Sequence, residues 1–388
     1  MSNPKLIRIT TVPLSLEKLL EHQLRFMSQY YEVIAISSDK PWLERIGEKE
    51  QVSTYNVEMS RQITPISDLK ALWRLYRFFK LEKPLIVHTH TPKAGIVGML
   101  AAKMAGVPHR FHTVAGMPLM ETTGNKRKLL NFTERLTYKC ANAVFPNSKG
   151  LKETILKEGF CVESKLKVIG NGSSNGINTS YFDPALYSLD DVQILKDDLG
   201  IDINDVVFLF VGRLVGDKGI NELVSAFKKL NIQSPATKII LVGPQEQHLD
   251  PLLPDVVREI ENNPSIISLG YQSDVRAYYS ISDVMVLPSY REGFPNVVMQ
   301  AGAMGLPCIV SNINGCNEII IEGENGLIIP TKNEKALLEA MIKFVNNKDL
   351  LNKLKANTRK MIIDRYDQQH FWNLLLNEYN TQIQKCIK

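Results

Sequence analysis

Residues 290–300 combine a carboxylate, a glycine, a proline and an amide at spacings that could serve one phosphorylated ligand. They follow the apolar run 284–288, which predicts a buried parallel strand, and they precede residues that can form a helix. Residues 292–295 would then be a strand-to-helix loop, the place where open α/β sheets bind ligands. Glu292 in the loop and Gln300, about two turns along the helix, could both meet one elongated ligand.

The start of that helix predicts an anion site. Gly293 allows the backbone to approach a ligand closely, and Pro295 suits the first helical position. The amides of Asn296 and Val297 would then point out of the helix start, where they can donate to a phosphate. The alternative is a surface loop followed by an ordinary amphipathic helix.

Two cations stand in a second strand-to-helix loop. Arg213 and Lys218 lie five residues apart, between a predicted strand at 205–212 and a predicted helix at 222–230. A guanidinium binds phosphate through two parallel hydrogen bonds, and an ammonium supplies a movable point charge. On spacing alone they could also be ordinary surface cations.

These segments resemble the donor site of retaining family-four glycosyltransferases with the GT-B fold. The resemblance rests on Glu-Gly-Phe-Pro-Asn at 292–296, Gly-Leu-Pro at 305–307, Gly-Cys-Asn-Glu at 315–318 and Gly-Arg-Leu with Lys-Gly at 212–219. It implies that the catalytic residues are Glu292, which contacts the transferred sugar, and Arg213 and Lys218, which hold the diphosphate. Gln300 stands where the family usually has a glutamate that binds the ribose, and an amide can still bond a ribose hydroxyl.

The resemblance also implies a base pocket and an acceptor side. Strand ends near Gly243, Tyr271 and Gln272 would line the base. The donor-binding set is Gly212, Arg213, Lys218, Gly243, Tyr271, Gln272, Glu292, Gly293, Phe294, Pro295, Asn296, Val297 and Gln300. The acceptor-side set is His90, Lys93, His112 and Gly116.

The acceptor-side residues lie at the end of the predicted strand 85–90, in the helix start that follows it, and in residues 110–118, which resemble a strand and loop of the family. Thr91 is suited to the N-cap of a helix and Pro92 to its first position, which places Lys93 in the first turn. A family loop that normally reads Thr-Val-His-Gly aligns with residues 113–116, where this chain has alanine in place of histidine. His90 either touches an acceptor or is a structural histidine, and both interpretations stay open.

The histidines do not predict a zinc site, since no cysteine or acidic residue near His88 and His90 completes a tetrahedron. We therefore expect neither a metal nor another cofactor, as the resemblance also implies. No Gly-x-Gly-x-x-Gly follows the first strand, which argues against a dinucleotide-dependent dehydrogenase.

Periodicity predicts alternating strands and helices in both halves. Strands are expected at 5–12, 32–37, 85–90, 143–148, 166–169, 205–212, 238–243, 266–272, 284–288 and 325–330. Helices are expected at 17–28 with Ser15 as cap, 67–81, from 124, 222–230, 335–345 and 368–379.

Length and composition favour two globular domains. The 388 residues are long for one core. We expect an acceptor-side Rossmann-like domain at 1–175, a nucleotide-sugar-binding Rossmann-like domain at 176–365, and a helix at 366–388 that packs on the first domain. Five cysteines without Cys-x-x-Cys spacing, the lack of a signal peptide and the lack of an 18-residue apolar stretch predict a cytoplasmic protein.

Charge is divided unevenly. Residues 1–182 hold 26 Lys and Arg against 15 Asp and Glu, a net charge of +11, and the remainder holds 20 against 26. With a cationic tip at Lys126, Arg127 and Lys128, the basic half suits an anionic membrane surface. No binding module indicates nucleic acid.

The sequence thus predicts an α/β protein of GT-B architecture, with two parallel-sheet domains facing a cleft. Resemblance implies a metal-independent, retaining transfer of a sugar from a nucleotide diphosphate, with UDP favoured, to a hydroxyl of a glycan or lipid-linked saccharide in bacterial capsule or lipopolysaccharide synthesis. Such an enzyme would be peripheral on the cytoplasmic face of the inner membrane. A nucleotide-sugar epimerase of the same fold and a non-catalytic sugar-nucleotide-binding partner are the alternatives.

Overall fold

A computed structural model describes residues 3–117, 122–246 and 250–385, and these form two compact units. The first unit comprises Met1–Gly176 together with Gln368–Lys388, and the second comprises Ile177–Asp367. Pro118 and Cys386, both in segments used above, lie outside the described ranges. None of the helices in those ranges is long and apolar enough to cross a membrane.

The first unit is built on a parallel sheet. In chain order its strands are β1 (Lys5–Ile9), β2 (Glu32–Ser37), β3 (Ser53–Asn56), β4 (Ile86–Thr89), β5 (His109–Val114) and β6 (Ala143–Pro146). Their spatial order is β3-β2-β1-β4-β5-β6, so the chain builds outward from β1 in one direction and then from β4 in the other. Five of the strands, all except β3, are almost wholly buried, as parallel strands covered on both faces must be.

Helices cover both faces of this sheet. They are α1 (Pro13–Leu19), α2 (Gln23–Met27), α3 (Lys40–Glu50), α4 (Pro65–Glu82), α5 (Pro92–Ala105), α6 (Gly124–Cys140) and α7 (Lys149–Lys157). The buried side chains of α4–α7 form one apolar cluster with the sheet, and those of α1–α3 contribute to another.

The predicted helix at 17–28 is wrong, because the chain forms α1 and α2 with a break between them. His22 has a left-handed φ of 61° at the break. The buried Glu50 carboxylate, at the end of α3, accepts hydrogen bonds from the backbone amides of His22 (3.0 Å) and Arg25 (3.2 Å). These amides at the start of α2 have no acceptor within their own helix, so Glu50 supplies one. Ser15 lies inside α1, and Val12 is the residue that precedes that helix.

Other elements also differ from the expectation. The pattern did not predict α3 or β3, and the expected strand at 166–169 is reduced to one bridge between Val144 and Leu166. Thr91 precedes α5 as predicted, but its side chain does not cap the helix. Its hydroxyl instead lies 2.7 Å from the Thr11 hydroxyl, which joins the ends of β1 and β4.

The second unit repeats the architecture. Its strands are β7 (Val206–Val211), β8 (Thr237–Val242), β9 (Ile266–Gly270), β10 (Val284–Leu287), β11 (Cys308–Ser311) and β12 (Gly326–Ile329). The sheet is parallel, with the order β12-β11-β10-β7-β8-β9. Its helices are α8 (Leu189–Asp198), α9 (Ile220–Gln233), α10 (Pro254–Asn262), α11 (Arg276–Ser280), α12 (Asn296–Ala303), α13 (Cys316–Ile319), α14 (Glu334–Asn346) and α15 (Lys348–Tyr366).

The last helix, α16 (Gln368–Lys385), returns to the first unit. Its buried residues Phe371, Trp372, Leu375 and Tyr379 join the apolar cluster of α1–α3. The Trp372 indole donates to the Asn175 side chain at 2.7 Å, as a buried indole N–H requires.

Arg8 ties α16 to the sheet. Its fully buried guanidinium donates to the Tyr379 hydroxyl and to His90 Nε2, at 3.0 Å each, and to the Gln23 side chain. His88 Nδ1 also bonds the Tyr379 hydroxyl. None of these partners is a carboxylate. The buried guanidinium therefore depends on hydrogen bonds to several neutral side chains.

We expect Tyr379→Phe to destabilise the first unit, because Arg8 and His88 each lose a buried partner worth about 1–3 kcal/mol. All three tryptophans of the chain, Trp42, Trp73 and Trp372, belong to this unit, so their fluorescence in urea reports its unfolding. Tyr30→Phe is the matched control, since Tyr30 is exposed. Equal urea midpoints for the two variants would contradict the assigned network.

Candidate functional site

The sheet of the second unit contains a reversal of strand order between β7 and β10. The chain adds β8 and β9 on one side of β7 and then adds β11 and β12 on the far side of β10. In open α/β sheets, ligands bind at the carboxyl edge where two such neighbouring strands end. The predicted cation loop follows β7, and the predicted Glu292 loop follows β10, so both stand at this position.

Backbone contacts hold these two loops together. The loop after β7 forms a turn of 3-10 helix at Gly216–Lys218 and reaches α9 through Gly219, which has a φ of 71°. A Cβ on Gly219 would lie 2.3 Å from the carbonyl oxygen of Pro288. The amide of Tyr290 donates to the Asp217 carbonyl at 2.9 Å. The first loop therefore packs directly on the second.

This packing pairs two of the predicted catalytic residues. Lys218 Nζ lies 2.6 Å from Glu292 Oε1, and each side chain is 17% exposed. The pair is thus largely shielded from solvent but still accessible to a ligand. The buried Cys316 lies nearby, and burial first, then the Glu292 charge, raises the pKa of its thiol.

A third loop, after β11, supports Gly293. Asn314 Nδ2 donates to the Gly293 carbonyl at 2.7 Å. Gly315 has a φ of 76°, and a Cβ there would lie 2.5 Å from the same carbonyl oxygen. Phe294 is buried, and its ring packs edge-on against Tyr366 at 5.5 Å between centroids. The backbone of the Glu292 loop is therefore supported by the loop after β11 and by Tyr366 of α15.

Helix α12 begins one residue later than predicted. Pro295 is the N-cap residue, with a ψ of 110°, and not the first helical residue. The Val298 amide donates to the Pro295 carbonyl at 3.2 Å. Asn296 and Val297 are then the first two helical positions, whose amides have no acceptor within the helix, so the geometry of an anion site is retained.

Gln300 is oriented by Tyr279. The buried Tyr279 hydroxyl lies 3.3 Å from Gln300 Oε1 and 3.2 Å from the Val297 carbonyl oxygen. Burial raises the pKa of Tyr279 well above its usual value, so its hydroxyl stays protonated and donates. With its oxygen engaged, the Gln300 amide presents its NH₂ group as the available donor.

Arg213 is separate from the Lys218–Glu292 pair in its contacts. Its guanidinium NH1 lies 2.8 Å from Glu246 Oε2, and the Arg213 side chain is 44% exposed. Glu246 follows β8, so the loops after β7 and β8 are joined by this ion pair. A diphosphate bound at Arg213 would either share the guanidinium with Glu246 or displace the Glu246 carboxylate from it.

The predicted base-side residues lie at the ends of β8 and β9. A Cβ on Gly243 would lie 1.8 Å from the Gly212 carbonyl oxygen, so the end of β8 has no room for a side chain at this position. Gln272 Nε2 donates to the Leu269 carbonyl at 2.9 Å, and Tyr271 is 72% exposed. Tyr271 therefore has a free ring face, whereas Gln272 is used to close its own turn.

The acceptor-side histidines are buried in the first unit. The rings of His88 and His90 lie 4.1 Å apart, so the two side chains lie on the same face. His90 is 2% exposed and accepts the Arg8 guanidinium bond through Nε2. These contacts favour the structural interpretation of His90, and contact with an acceptor stays a prediction.

The other acceptor-side residues are distributed differently. His112 Nδ1 bonds the Thr89 hydroxyl at 2.7 Å, and its ring packs against Gly95. Lys93 forms an ion pair with Asp68. Gly116 is half-buried, and a Cβ there would meet nothing within 4 Å. Through the described ranges, no group of three His, Cys, Asp or Glu is placed to hold a metal ion.

Comparison with known proteins agrees with this arrangement. Residues 191–361 match the model of the family "Glycosyl transferases group 1", and residues 24–172 match that of the "Glycosyl transferase 4-like domain". The capsular polysaccharide biosynthesis glycosyltransferase CapM of Staphylococcus aureus is 32% identical over 382 residues, covering 98% of this chain and 98% of CapM. The chain belongs to this glycosyltransferase family.

Two further similarities concern one relative and one solved structure. The UDP-Gal:alpha-D-GlcNAc-diphosphoundecaprenol alpha-1,3-galactosyltransferase of Escherichia coli is 34% identical over 313 residues, covering 80% of this chain and 78% of its own. The structure of Anabaena HepE in complex with UDP superposes with a TM-score of 0.81 at 16% identity, covering 98% of this chain and 100% of HepE. The two parallel six-stranded sheets described above are those of the GT-B fold.

Sequence reasoning missed the residues that position the site. Glu246, Tyr279 and Asn314 were not singled out, although each contacts a predicted donor residue. Glu246 and Asn314 follow the strands β8 and β11, so their place at the carboxyl edge was a usable signal. Tyr279 lies in the short helix α11 and had no such signal.

The glycosyltransferase should lose stability in mild acid through its buried histidines. Burial lowers the pKa of His112 to about 4, and it lowers the pKa values of His88 and His90 well below their usual range. In the unfolded chain they bind protons below about pH 6.5. Stability is therefore fully present above that pH and falls below it, by up to about 1.4 kcal/mol per pH unit for each histidine.

Urea unfolding of the first unit, followed by tryptophan fluorescence between pH 7.5 and 4.5, measures this slope. His112→Asn should reduce the slope while an amide still bonds Thr89. A stability that does not change over this range, or a slope that His112→Asn leaves intact, would contradict the assignment.

Proposed function

We propose that this glycosyltransferase moves a sugar from a UDP-sugar to a hydroxyl of a lipid-linked saccharide, with retention at the anomeric carbon, in the synthesis of a bacterial surface polysaccharide. The observation that carries the proposal is the shielded Lys218–Glu292 pair at the strand-order reversal, with the first amides of α12 at the end of the Glu292 loop. The E. coli relative, named for UDP-Gal and a diphosphoundecaprenol acceptor, supports the choice of donor and acceptor class.

The residues would divide one donor between them. Arg213 and Lys218 would bind the diphosphate, on which negative charge develops as the bond to the sugar breaks. Charges that are already in place stabilise such a change without reorganisation, which is the most effective form of electrostatic catalysis. The amides of Asn296 and Val297 would add to this field. In this proposal these groups meet the developing charge without a metal ion.

Glu292 would position the sugar. One of its oxygens is 2.6 Å from Lys218, so the carboxylate stands next to the group assigned to the diphosphate. A ligand that carries both a diphosphate and a sugar could bind the ammonium with one part and accept hydrogen bonds at the carboxylate with the other. Tyr279 would hold Gln300 so that its NH₂ group donates to a ribose hydroxyl.

The acceptor class brings the protein to a membrane surface. A diphosphoundecaprenol-linked sugar lies at a bilayer, and the first 182 residues carry a net charge of +11. Clusters of basic residues bind anionic leaflets, with about 1 kcal/mol for each Lys or Arg near the surface. We therefore propose peripheral association through the first unit, on the cytoplasmic face of the inner membrane.

The first test separates the diphosphate contacts from the sugar contact. Arg213→Ala should lower kcat by about 100-fold, the scale of one preorganised charge-stabilising group, and should weaken UDP binding. Glu292→Ala should lower kcat while UDP binding is kept or strengthened, because UDP lacks the sugar and Lys218 gains freedom. Calorimetry with UDP and assays of sugar transfer measure both quantities.

Two controls sharpen this test. Glu246→Ala removes the ion-pair partner of Arg213 and should keep or strengthen UDP binding. Arg258→Ala removes an exposed guanidinium from α10 and should change neither quantity. If Glu292→Ala lost UDP affinity as severely as Arg213→Ala, the sugar-side role of Glu292 would be wrong.

The second test concerns the ribose. Gln300→Glu should keep activity, since a carboxylate also accepts the Tyr279 bond and can accept one from a ribose hydroxyl. Gln300→Leu should raise the donor KM by the equivalent of one hydrogen bond, about 0.5–1.5 kcal/mol. Tyr279→Phe, which frees Gln300 without removing it, is the comparison. Unchanged kinetics in the leucine variant would place the ribose elsewhere.

A further inference from the structure

Helix α4 of the first unit has two apolar faces, of which only one is covered. Ala71, Leu75 and Phe79 face the sheet and are almost completely buried. On the opposite side four large apolar side chains are exposed, by 51–77% of their surface. They are Ile66, Leu69, Trp73 and Leu81. Large apolar side chains that recur along one exposed helix face indicate a surface for an apolar partner.

Four cations share this exposed face. They are Lys70, Arg74, Arg77 and Lys80. At 100° per residue, these cations and the four apolar residues all fall within an arc of about 140° around the helix. We call these eight residues the α4 face. Every residue of α4 is described, and no Asp or Glu lies within this arc.

The two acidic residues of α4 are used elsewhere. Asp68 forms an ion pair with Lys93 of α5, and Glu82 forms one with Lys5 of β1. Both carboxylates therefore help to fix the helix on its own unit. The charge of the α4 face is left uncompensated by its own helix, so the face is both apolar and strongly cationic.

A pocket of about 500 Å³ opens on this face, and its walls are held in place. It is lined by Tyr55, Leu69, Lys70, Trp73, Arg74 and Arg77. Arg74 Nε donates to the Tyr55 hydroxyl at 3.3 Å, and the Tyr55 ring stacks on Phe78 at 3.8 Å. Trp73 stacks on Tyr76 at 5.1 Å. Aromatic and cationic groups of this kind form a pocket suited to a phosphate headgroup.

We propose that the α4 face docks on a bilayer that contains anionic phospholipids. Trp73 and the aliphatic side chains would enter the headgroup region, while the four cations remain at the level of the lipid phosphates. A bilayer is the occupant because its surface is complementary to the α4 face. Anionic headgroups would meet the four cations, and the apolar acyl region below them would meet the exposed apolar side chains along the helix. This inference rests on the proposed function and extends it. It identifies the α4 face as the surface of the protein that binds the membrane in which the lipid-linked acceptor lies.

The charge arm of the test compares two pairs of exposed lysines in the same unit. Lys70→Glu with Lys80→Glu alters the α4 face, and Lys126→Glu with Lys128→Glu makes the same charge change at the start of α6. Co-sedimentation with vesicles of phosphatidylcholine and phosphatidylglycerol should fall at least about tenfold for the first pair. The second pair should change it much less. An equal loss for both pairs, or equal binding to pure phosphatidylcholine vesicles, overturns the proposal.

The apolar arm uses Trp73 itself. Its fluorescence should shift to the blue and be quenched by brominated lipid, and Trp73→Phe should remove that signal. Ile66→Ser with Leu69→Ser should weaken vesicle binding, whereas Leu189→Ser with Ile194→Ser, at equally exposed apolar positions of α8, should not. No quenching of Trp73 in vesicle-bound protein overturns the proposal.

A second copy of the chain is the competing occupant of the α4 face. Sedimentation velocity without vesicles should give a monomer, and a dimer that Ile66→Ser with Leu69→Ser dissociates would overturn the membrane assignment. UDP calorimetry separates this inference from the proposed function. If the α4 variants bind UDP normally and lose only vesicles, the surface is established independently. If UDP does not bind but vesicle binding still depends on α4, only the proposed function fails.

Discussion

The candidate site of the second unit depends on two close approaches that only glycine permits. The α-carbon of Gly219 meets the Pro288 carbonyl, and that of Gly315 meets the Gly293 carbonyl, with no room for a side chain in either case. These contacts bring the loops after β7, β10 and β11 together at the edge of one sheet. The Lys218–Glu292 pair then follows, since two long side chains from touching loops need only a short reach. The chemistry is thus placed by backbone packing.

Much of this could be read from the sequence, because strand ends and glycines are local signals. An apolar run followed by glycine and a charged loop marks the carboxyl edge of a parallel strand, and this logic located Arg213, Lys218 and Glu292. Strand β2 was predicted with its observed limits, and five of the six strands in the sheet of the second unit were predicted within a few residues, whereas β11 was not predicted. The α12 start was misplaced by one residue, because proline suits both the N-cap as observed and the position after it.

The rest depended on contacts between distant segments. The break between α1 and α2 is stabilised by Glu50, which lies 25 residues or more along the chain from the amides it accepts, so no local pattern reveals it. Likewise, Arg213 and Glu246 come from different loops, and their pairing follows from the order of β7 and β8 in the sheet. The burial of His90 beside Arg8 could not be predicted either. The local sequence around a histidine at a strand end is the same whether its side chain is buried or exposed.

Helix α16 gives the chain an unusual order of synthesis. The first unit begins before the second along the chain, but Tyr379 and Trp372, which bond Arg8 and Asn175 and close its apolar cluster, come after the whole of Ile177–Asp367. Domains usually fold as they emerge, with the N-terminal one first. Here the ribosome releases the second unit while the first still lacks its last helix. The unit whose synthesis starts first is therefore completed last, and until α16 is made, the apolar side chains that it covers in the finished fold are not covered by it.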